Sequence, residues 1–261
     1  MSFQINQRAK DEVRGTIVAV IIALIIRTFL FQPFTIPSGS MYPTLMIGDF
    51  LFASKYPYGY SSKSFIFGFP RFKGRMMSGT PKQGEVVIFN NPKQPEMDFI
   101  KRCIGLPGDK IQMKEGYLYI NGQKCELEYV DIYTYVDQFG RTDVCKRYIE
   151  TLPSGIKHYI LKKYEFGQGS HDNTQEYAVP EGHYFMMGDN RDNSQDSRVL
   201  DKVGYIPLDS LIGRAEILFF STEARLYKHA ESKWYDISDM QFEPISWVTG
   251  IRWDRFLKVI R

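Results

Sequence analysis

The chain has 261 residues, of which 43% are hydrophobic, a proportion that allows a sizeable buried core. Thirty-three Lys and Arg against thirty Asp and Glu leave a formal charge of +3, which excludes the strong basic excess of a nucleic-acid-binding protein. The three cysteines lack the paired short spacing of a zinc site, so the sequence predicts neither a metal nor a cofactor.

An apolar run occupies Gly15 to Phe31, carries one charge at Arg27, and continues to Phe34. As a helix it rises about 26 Å, slightly less than a hydrocarbon core of roughly 30 Å, so flanking residues are expected to contribute. Two alternatives are a buried core helix and a cleaved signal peptide, since Ser38-Gly39-Ser40 has the small-x-small spacing of a cleavage site. Cleavage there would remove a segment whose residues restrict its backbone conformation, so residues 15–34 are predicted to be an uncleaved transmembrane anchor.

The charges that flank this run predict its orientation. Arg8, Lys10 and Arg14 precede it, whereas no Lys or Arg follows until Lys55. The positive-inside rule then places a tail of residues 1–14 in the cytoplasm and residues 35–261 on the outer side.

Beyond the anchor the chain is predicted to be mainly β. Gly84–Asn90, Asp98–Leu106 and Ala215–Phe220 are short apolar runs bounded by turn residues. Tyr117–Cys125 contains Asn121-Gly122, a strong signal for a two-residue hairpin. Residues 112–179 are polar and rich in tyrosine, as an inserted β subdomain would be, and a helical periodicity appears at the C-terminal end alone. Cys125 and Cys145 can pair if the compartment is oxidising, with three free buried thiols as the alternative.

Ser40 is the candidate nucleophile. Pro37 restricts the backbone before it and Gly39 permits a tight path, so the segment holds one serine in a fixed orientation. A serine needs a base, and none of the four histidines shares a motif with a serine. A triad assembled in space stays open, although a glycine-x-serine-x-glycine elbow is absent.

Besides the histidines, Lys101 is a candidate for the general base. Alternation along a strand places Phe99 and Lys101 on one face and Ile100 and Arg102 on the other. A lysine enclosed by apolar groups has a lowered pKa and can accept a proton near neutral pH. An exposed strand lysine is the ordinary alternative.

A polar run follows the apolar segment Tyr184–Met187. Gly188–Arg198 has the sequence GDNRDNSQDSR and no apolar side chain. A solvated loop is the ordinary interpretation of such a run. Because a strand precedes it, the run is also suited to supply hydrogen bonds around a buried base.

Five segments in this order, PSGSMYPTL, GDFLFASKYPYG, KQGEVVIF, FIKRCIGLPGD and GDNRDNSQDSR, resemble the signature segments of type I signal peptidases. These are membrane-anchored endopeptidases that remove signal peptides from exported proteins. The resemblance implies that Ser40 is the nucleophile and Lys101 its general base. It assigns Ser38 to the oxyanion hole and Ser194 to orienting the Lys101 amine. The resemblance implies a supporting ion pair between Asp196 and Arg198, and it implies that Asp189 and Arg191 shape the same loop. The pockets for the small side chains before the cleavage site would be lined by Phe34, Ile36, Pro37, Phe99 and Ile100.

The resemblance also implies a mostly antiparallel β catalytic domain with an inserted β subdomain, in a bacterial inner membrane. The implied partners are signal-peptide-bearing preproteins, the lipid bilayer and, transiently, the export machinery. Outside these segments, Tyr56–Arg75 and Ile251–Arg261 combine cations with bulky apolar residues, which suits either the membrane interface or ordinary surface packing.

Three other functions share a feature with this sequence. Ser154-Gly155-Ile156-Lys157 has the spacing of a penicillin-binding enzyme but lacks its partner motifs. A self-cleaving repressor would use the same Ser-Lys chemistry, yet a membrane span occupies the place of its DNA-binding helix. The third is a non-enzymatic chaperone or assembly factor for exported proteins. Release of a signal peptide from a preprotein by the purified protein would distinguish an enzyme from such a factor.

Overall fold

The computed structural model of the protein describes residues 7–65, 72, 74–77, 79–137, 139–223 and 249–261. Helix α1 (Gln7–Ile25) continues through a π-helical turn, Ile26–Leu30. The stretch Ala9–Leu30 is long and apolar enough to cross a membrane, and its most apolar window is not buried inside the protein. The helical part therefore begins before Gly15 and ends at Leu30, ahead of the expected Phe34.

The described residues form fourteen strands after this helix. They are β1 (Phe31–Thr35), β2 (Asp49–Ser54), β3 (Val86–Asn90), β4 (Asp98–Gly105), β5 (Lys110–Lys114), β6 (Tyr117–Ile120), β7 (Gln123–Lys124), β8 (Glu126–Val136), β9 (Thr142–Thr151), β10 (Lys157–Lys162), β11 (Tyr177–Ala178), β12 (His183–Met187), β13 (Ile206–Pro207) and β14 (Leu211–Ser221).

Seven strands make the largest sheet, in the order β1-β2-β14-β3-β4-β12-β13. Its paired strands are antiparallel, so the mainly β, antiparallel prediction is confirmed. Every residue of β3 is buried because apolar side chains cover both faces of the sheet there. One face packs around Phe34, Ile88 and Leu218, and the other around Tyr58 and Phe89.

Two smaller sheets lie between β4 and β12 in the chain. One has the order β11-β5-β6-β7 and the other is a three-stranded sheet, β10-β9-β8. The predicted hairpin is confirmed: Asn121 and Gly122 connect β6 to β7 with φ of 53° and 79°. A type I′ turn needs positive φ at both central residues, which Asn and Gly tolerate.

The C-terminal segment returns to the large sheet. Val259 and Ile251 form antiparallel bridges with Ile217 and Thr222, and a 3-10 turn, Trp253–Arg255, lies between them. Residues 224–248, which precede this segment, lie outside the described residues, so the helical periodicity expected at this end stays a prediction.

The two segments considered for the membrane interface behave differently. In Ile251–Arg261 the Arg255 side chain is buried against Asp49, whereas Trp253, Phe256, Leu257 and Val259 are at least half exposed. Tyr56–Arg75 lies partly outside the described residues. Its described part packs against the end of the apolar helix, where the rings of Tyr60 and Phe65 meet that of Phe29 edge-on.

All three cysteines are free and buried. Cys125 and Cys145 belong to different clusters of buried side chains, one around β5 and β6 and the other around Tyr42 and Tyr135. The alternative of three unpaired thiols is therefore the one that the structure contains.

Candidate active site

A single 3-10 turn, Gly39–Met41, presents Ser40. Ser38 enters it in an extended conformation and the Tyr42 N–H donates to Gly39 O at 3.2 Å. A Cβ atom at position 39 would lie 2.8 Å from the Tyr42 ring, so glycine lets the turn close against that ring. The turn therefore holds Ser40 in one orientation, half-buried.

Lys101 meets Ser40 from strand β4. Its Nζ lies 2.6 Å from Ser40 Oγ, although 61 positions separate the two residues, and it donates to Ile100 O at 3.0 Å. The same Nζ is 5.5 Å from the centroid of the Phe99 ring, as the alternation along β4 predicts. The lysine is 4% exposed, so the alternative of a solvated strand lysine is wrong.

Burial sets the proton affinity of Lys101. Removal from water lowers its pKa from 10.5 to about 8, since the ammonium form loses hydration. The negative charges of Asp196 and Asp189 oppose this shift, and the positive charge of Arg198 adds to it. Above about pH 8 the amine is mostly neutral and can accept the proton of the Ser40 hydroxyl.

The polar loop, Gly188–Arg198, lies beside the dyad and contains a buried ion pair. Arg198 Nε and Nη2 donate to the two carboxylate oxygens of Asp196, each at 2.8 Å, and the Gly188 N–H donates to Asp196 Oδ2 at 3.0 Å. Burial alone would raise the pKa of Asp196, but Arg198 and these hydrogen bonds hold it below its usual range. The charge of Arg198 is thus balanced within the loop.

A second buried pair joins the loop to β4. Arg102 Nε and Nη2 donate to Asp189 Oδ1 and Oδ2 at 2.8 and 2.7 Å, and Thr44 Oγ1 donates to Oδ2 at 2.5 Å. Burial raises the pKa of Asp189, but the charge and hydrogen bonds of Arg102, together with His158 and Thr44, lower it below its usual range. Arg102 follows Lys101 directly, so this pair fixes the strand that carries the lysine. The alternation along β4 predicted that Arg102 lies on the opposite face of the strand from Lys101. Nothing in the sequence indicated that its partner is Asp189.

Asn190 ties the polar loop to the nucleophile. Its N–H donates to Ser40 O at 3.0 Å and its Nδ2 donates to Gly39 O at 3.0 Å. The next residue, Arg191, pairs with Glu150 of β9, and both side chains are at most 1% exposed. Sequence reasoning missed Asn190 and Glu150, since neither has a charge or spacing that points to Ser40.

Ser194 has an unusual environment. Its Oγ is buried without a hydrogen bond of ordinary geometry, and it lies near enough to Asp196 to help lower the pKa of that carboxyl. A Cβ atom at Gly188 would lie 2.2 Å from Ser194 Oγ and 2.6 Å from Ser40 O. The absence of a side chain at Gly188 therefore leaves room for Ser194 Oγ and the Ser40 carbonyl, a role that its place at the start of the polar run did not reveal.

The residues expected to line substrate pockets divide between the two faces of the sheet. Phe34 and Ile36 are 6% and 2% exposed and pack with Ile100, whereas Phe99 packs with the cluster on the other face. Pro37 is half-buried.

Among the described residues, one edge of strand β4 next to Lys101 has no strand paired to it. Residues 98–102 pair with β3 on one side, and on the other side β12 pairs with β4 from Arg102 onward. An extended peptide can therefore add to β4 beside Ser40.

Two hydrogen-bond donors are available at the turn. The Ser38 hydroxyl does not cap it, and the Ser40 N–H donates to no carbonyl within the described part of the backbone. Both groups can turn toward an oxygen that becomes negatively charged during attack by Ser40.

No histidine in the described ranges forms a hydrogen bond with Ser40. His158 lies between Glu150 and Asp189, His171 contacts Ser170, and His183 contacts a backbone carbonyl. His229 lies outside the described residues. The Ser154-x-x-Lys157 match occupies the exposed turn between β9 and β10. The described part of the chain contains no group of three or more His, Cys, Asp or Glu side chains suited to a metal ion.

Comparisons with known proteins point the same way. The family model described as signal peptidase, peptidase S26, matches residues 10–220. Signal peptidase I of Rickettsia typhi is 38% identical over 97% of this chain and 94% of its own length. The enzymes of Rickettsia canadensis and Rickettsia prowazekii are 37% and 36% identical over the same shares. A crystal structure of a signal peptidase I from Enterococcus faecalis is 25% identical and covers 52% of this chain and 96% of its own, but its TM-score of 0.31 carries no argument about topology.

Proposed function

Since the chain belongs to the signal peptidase family, peptidase S26, and cleaves signal peptides from preproteins, we propose that Ser40 is its nucleophile and Lys101 its general base. The observation that carries this proposal is the 2.6 Å contact between Ser40 Oγ and Lys101 Nζ. A serine and a lysine of lowered pKa at this distance supply both the nucleophile and the proton acceptor.

The reaction divides into acylation and hydrolysis. Ser40 Oγ attacks the scissile carbonyl carbon as its proton passes to Lys101 Nζ, and the Ser40 N–H and Ser38 hydroxyl stabilise the oxyanion. As the intermediate collapses, Lys101 returns the proton to the leaving amine, which is the new N-terminus of the mature protein. Water then attacks the acyl-enzyme with Lys101 again as base. In this scheme the Asp196–Arg198 and Asp189–Arg102 pairs hold the site, and Ser194 orients the amine.

The substrate would bind as an added strand at the open edge of β4. Phe34, Ile36 and Ile100 form a packed apolar wall on one face of the sheet, Phe99 packs on the other face, and Pro37 is half-buried. Shallow apolar pockets of this kind favour small residues, so cleavage is expected after small-x-small sites such as Ala-x-Ala.

The N-terminal helix is consistent with membrane anchoring, and the flanking charges support an N-terminus on the cytoplasmic side of a bacterial inner membrane. Residues 1–14 would then be the cytoplasmic tail, 15–34 the anchor and 35–261 the outer peptidase domain. The two smaller sheets support an inserted β subdomain over 112–179. The bilayer and, transiently, the export machinery would be partners, and nucleic acid would not.

The direct test is processing of a preprotein with an Ala-x-Ala site by purified protein in detergent. Ser40→Ala and Lys101→Ala should each lower the rate by several orders of magnitude, and the double variant should be little worse because the two groups act as a unit. His183→Ala is the control and should leave the rate nearly intact. An inactive but folded His183→Ala protein, or an active Ser40→Ala protein, would contradict the dyad.

A further inference from the structure

The three-stranded sheet, β8 to β10, lies outside all five signature segments but contacts the polar loop along its length. We propose that this sheet positions Ser40 through the polar loop, and that Glu150 and Tyr135 are positioning residues for the reaction. The inference rests on Ser40 being the nucleophile.

Backbone bonds make the first connection. The Leu161 N–H of β10 donates to Asp189 O at 2.9 Å, and the Arg191 N–H donates to Leu161 O at 3.0 Å. These bonds form a parallel bridge between Leu161 and Asn190. Asn190, held between them, makes both of the hydrogen bonds to the backbone of Ser40 and Gly39. The carbonyls of the nucleophile turn are therefore coupled to β10 through one residue.

Buried charges make the second connection. Glu150 of β9 accepts hydrogen bonds from both terminal nitrogens of Arg191, and the Nη1–Oε1 distance is 2.7 Å. His158 of β10 bridges the two pairs, with Nε2 3.1 Å from Glu150 Oε2 and Nδ1 3.5 Å from Asp189 Oδ1. The side chains of all four residues are at most 1% exposed. Removing one partner from such a group leaves an uncompensated buried charge, so Asp189 and Arg191 cannot move independently of the sheet.

Tyr135 of β8 makes the third connection. Its hydroxyl accepts a hydrogen bond from Asn190 Nδ2 at 2.8 Å, and its ring stacks on Tyr42 with centroids 4.4 Å apart. Tyr42 closes the turn that carries Ser40. Tyr135 thus contacts the Asn190 amide and the nucleophile turn at once.

Each strand of the sheet therefore places at least one residue against the polar loop: β8 and β10 contact Asn190, and β9 pairs with the adjacent Arg191. A sheet that supplied packing alone would not need buried charges, because apolar side chains of similar volume stabilise as well or better. An ion pair and an oriented amide specify position, which is what attack by Ser40 on a carbonyl requires.

The test uses two mild substitutions in the full-length protein. Glu150→Gln keeps the size of the side chain and removes its charge, and Tyr135→Phe keeps the stacked ring and removes the hydroxyl. Each should lower the single-turnover rate constant at saturating preprotein at least fivefold while KM stays within twofold. The matched control is Asp131→Asn, which breaks a similar carboxylate–arginine fork with Arg147 on the exposed face of the same sheet and should leave the rate constant unchanged.

Thermal unfolding and Ser40→Ala are measured in parallel. If Glu150→Gln does not fold, Tyr135→Phe decides. Folded variants that cleave at the wild-type rate, or that change KM alone, would overturn the inference. An active Ser40→Ala protein would instead overturn the proposed nucleophile, so the two failures can be told apart.

Discussion

Ser194 Oγ and the Ser40 carbonyl occupy a space that exists because position 188 has no side chain. Any Cβ there would displace Ser194 Oγ or the Ser40 carbonyl. Within this space Ser194 Oγ is buried without an ordinary hydrogen bond. A buried polar group without a partner costs about 1–3 kcal/mol, so this hydroxyl is expected to bond to the dyad during the reaction.

Ser194→Ala tests that expectation. If the hydroxyl orients the Lys101 amine, its loss should cost roughly 1–3 kcal/mol in the transition state, which is about a ten- to hundredfold drop in rate. Substrate affinity should be nearly unchanged, since in that role the hydroxyl would act on the base and not on the substrate. Single-turnover processing by wild type and variant, with thermal unfolding alongside, measures both. A folded Ser194→Ala enzyme at full rate would leave the loop as structural support.

At the scale of single residues, the sequence predicted the two reacting groups better than the side chains that hold them in place. Ser40 and Lys101 stand in recognisable segments, and the alternation along β4 placed Lys101 with Phe99. Glu150 and Asn190 could not be predicted, because their importance comes from a contact across two sheets rather than from local spacing.

Among the elements, the apolar helix and strand β1 form one continuous path. The π-helical turn ends at Leu30, the next residue starts β1, and Phe34 of β1 is already in the core. The apolar helix therefore leads directly into the edge strand of the seven-stranded sheet, and β1 ends at Thr35, five residues before Ser40.

The orientation of this anchor can be tested by cysteine labelling. Cys103, Cys125 and Cys145 are buried, and burial raises the pKa of Cys125 to about 12 and of Cys145 to about 11, so native thiols should react slowly. Asp11→Cys and Ser154→Cys each introduce a thiol at an exposed position.

An impermeant maleimide applied to spheroplasts should label the variant with cysteine at position 154. The variant with cysteine at position 11 should react after permeabilisation alone. Labelling of position 11 in intact spheroplasts would contradict the proposed topology, and the unsubstituted protein is the control for background.

Elements with a local signal were predictable from the sequence. The turn at Asn121-Gly122 follows from backbone sterics, and the strand before the polar run follows from its apolar residues. The end of the helix was not predictable, because Phe31 and Phe34 extend the apolar run beyond Leu30 and belong to a strand only through pairing with β2.

Across the whole molecule, one connected set of buried polar side chains lies around the dyad. It links β4, the polar loop and the three-stranded sheet through Arg102, Asp189, His158, Glu150 and Arg191. Burial raises the pKa of Glu150, but Arg191 and His158 together lower it to about 2 through their charges and hydrogen bonds, so this carboxylate is ionised at neutral pH. Lys101 differs from these cations, because burial lowers its pKa enough for it to lose its proton near the working pH.

The pH dependence of single-turnover processing tests the neutral-lysine mechanism most directly. Below pH 8 Lys101 is mostly protonated and cannot accept the Ser40 proton, so the rate constant should rise about tenfold per pH unit and level off above an apparent pKa of about 8. The preprotein is held at saturation and the protein is checked for folding at each pH. A rise centred near 6.5 would indicate a histidine base, and one centred near 10.4 a solvated lysine. Either result would contradict a buried Lys101 as the base for Ser40.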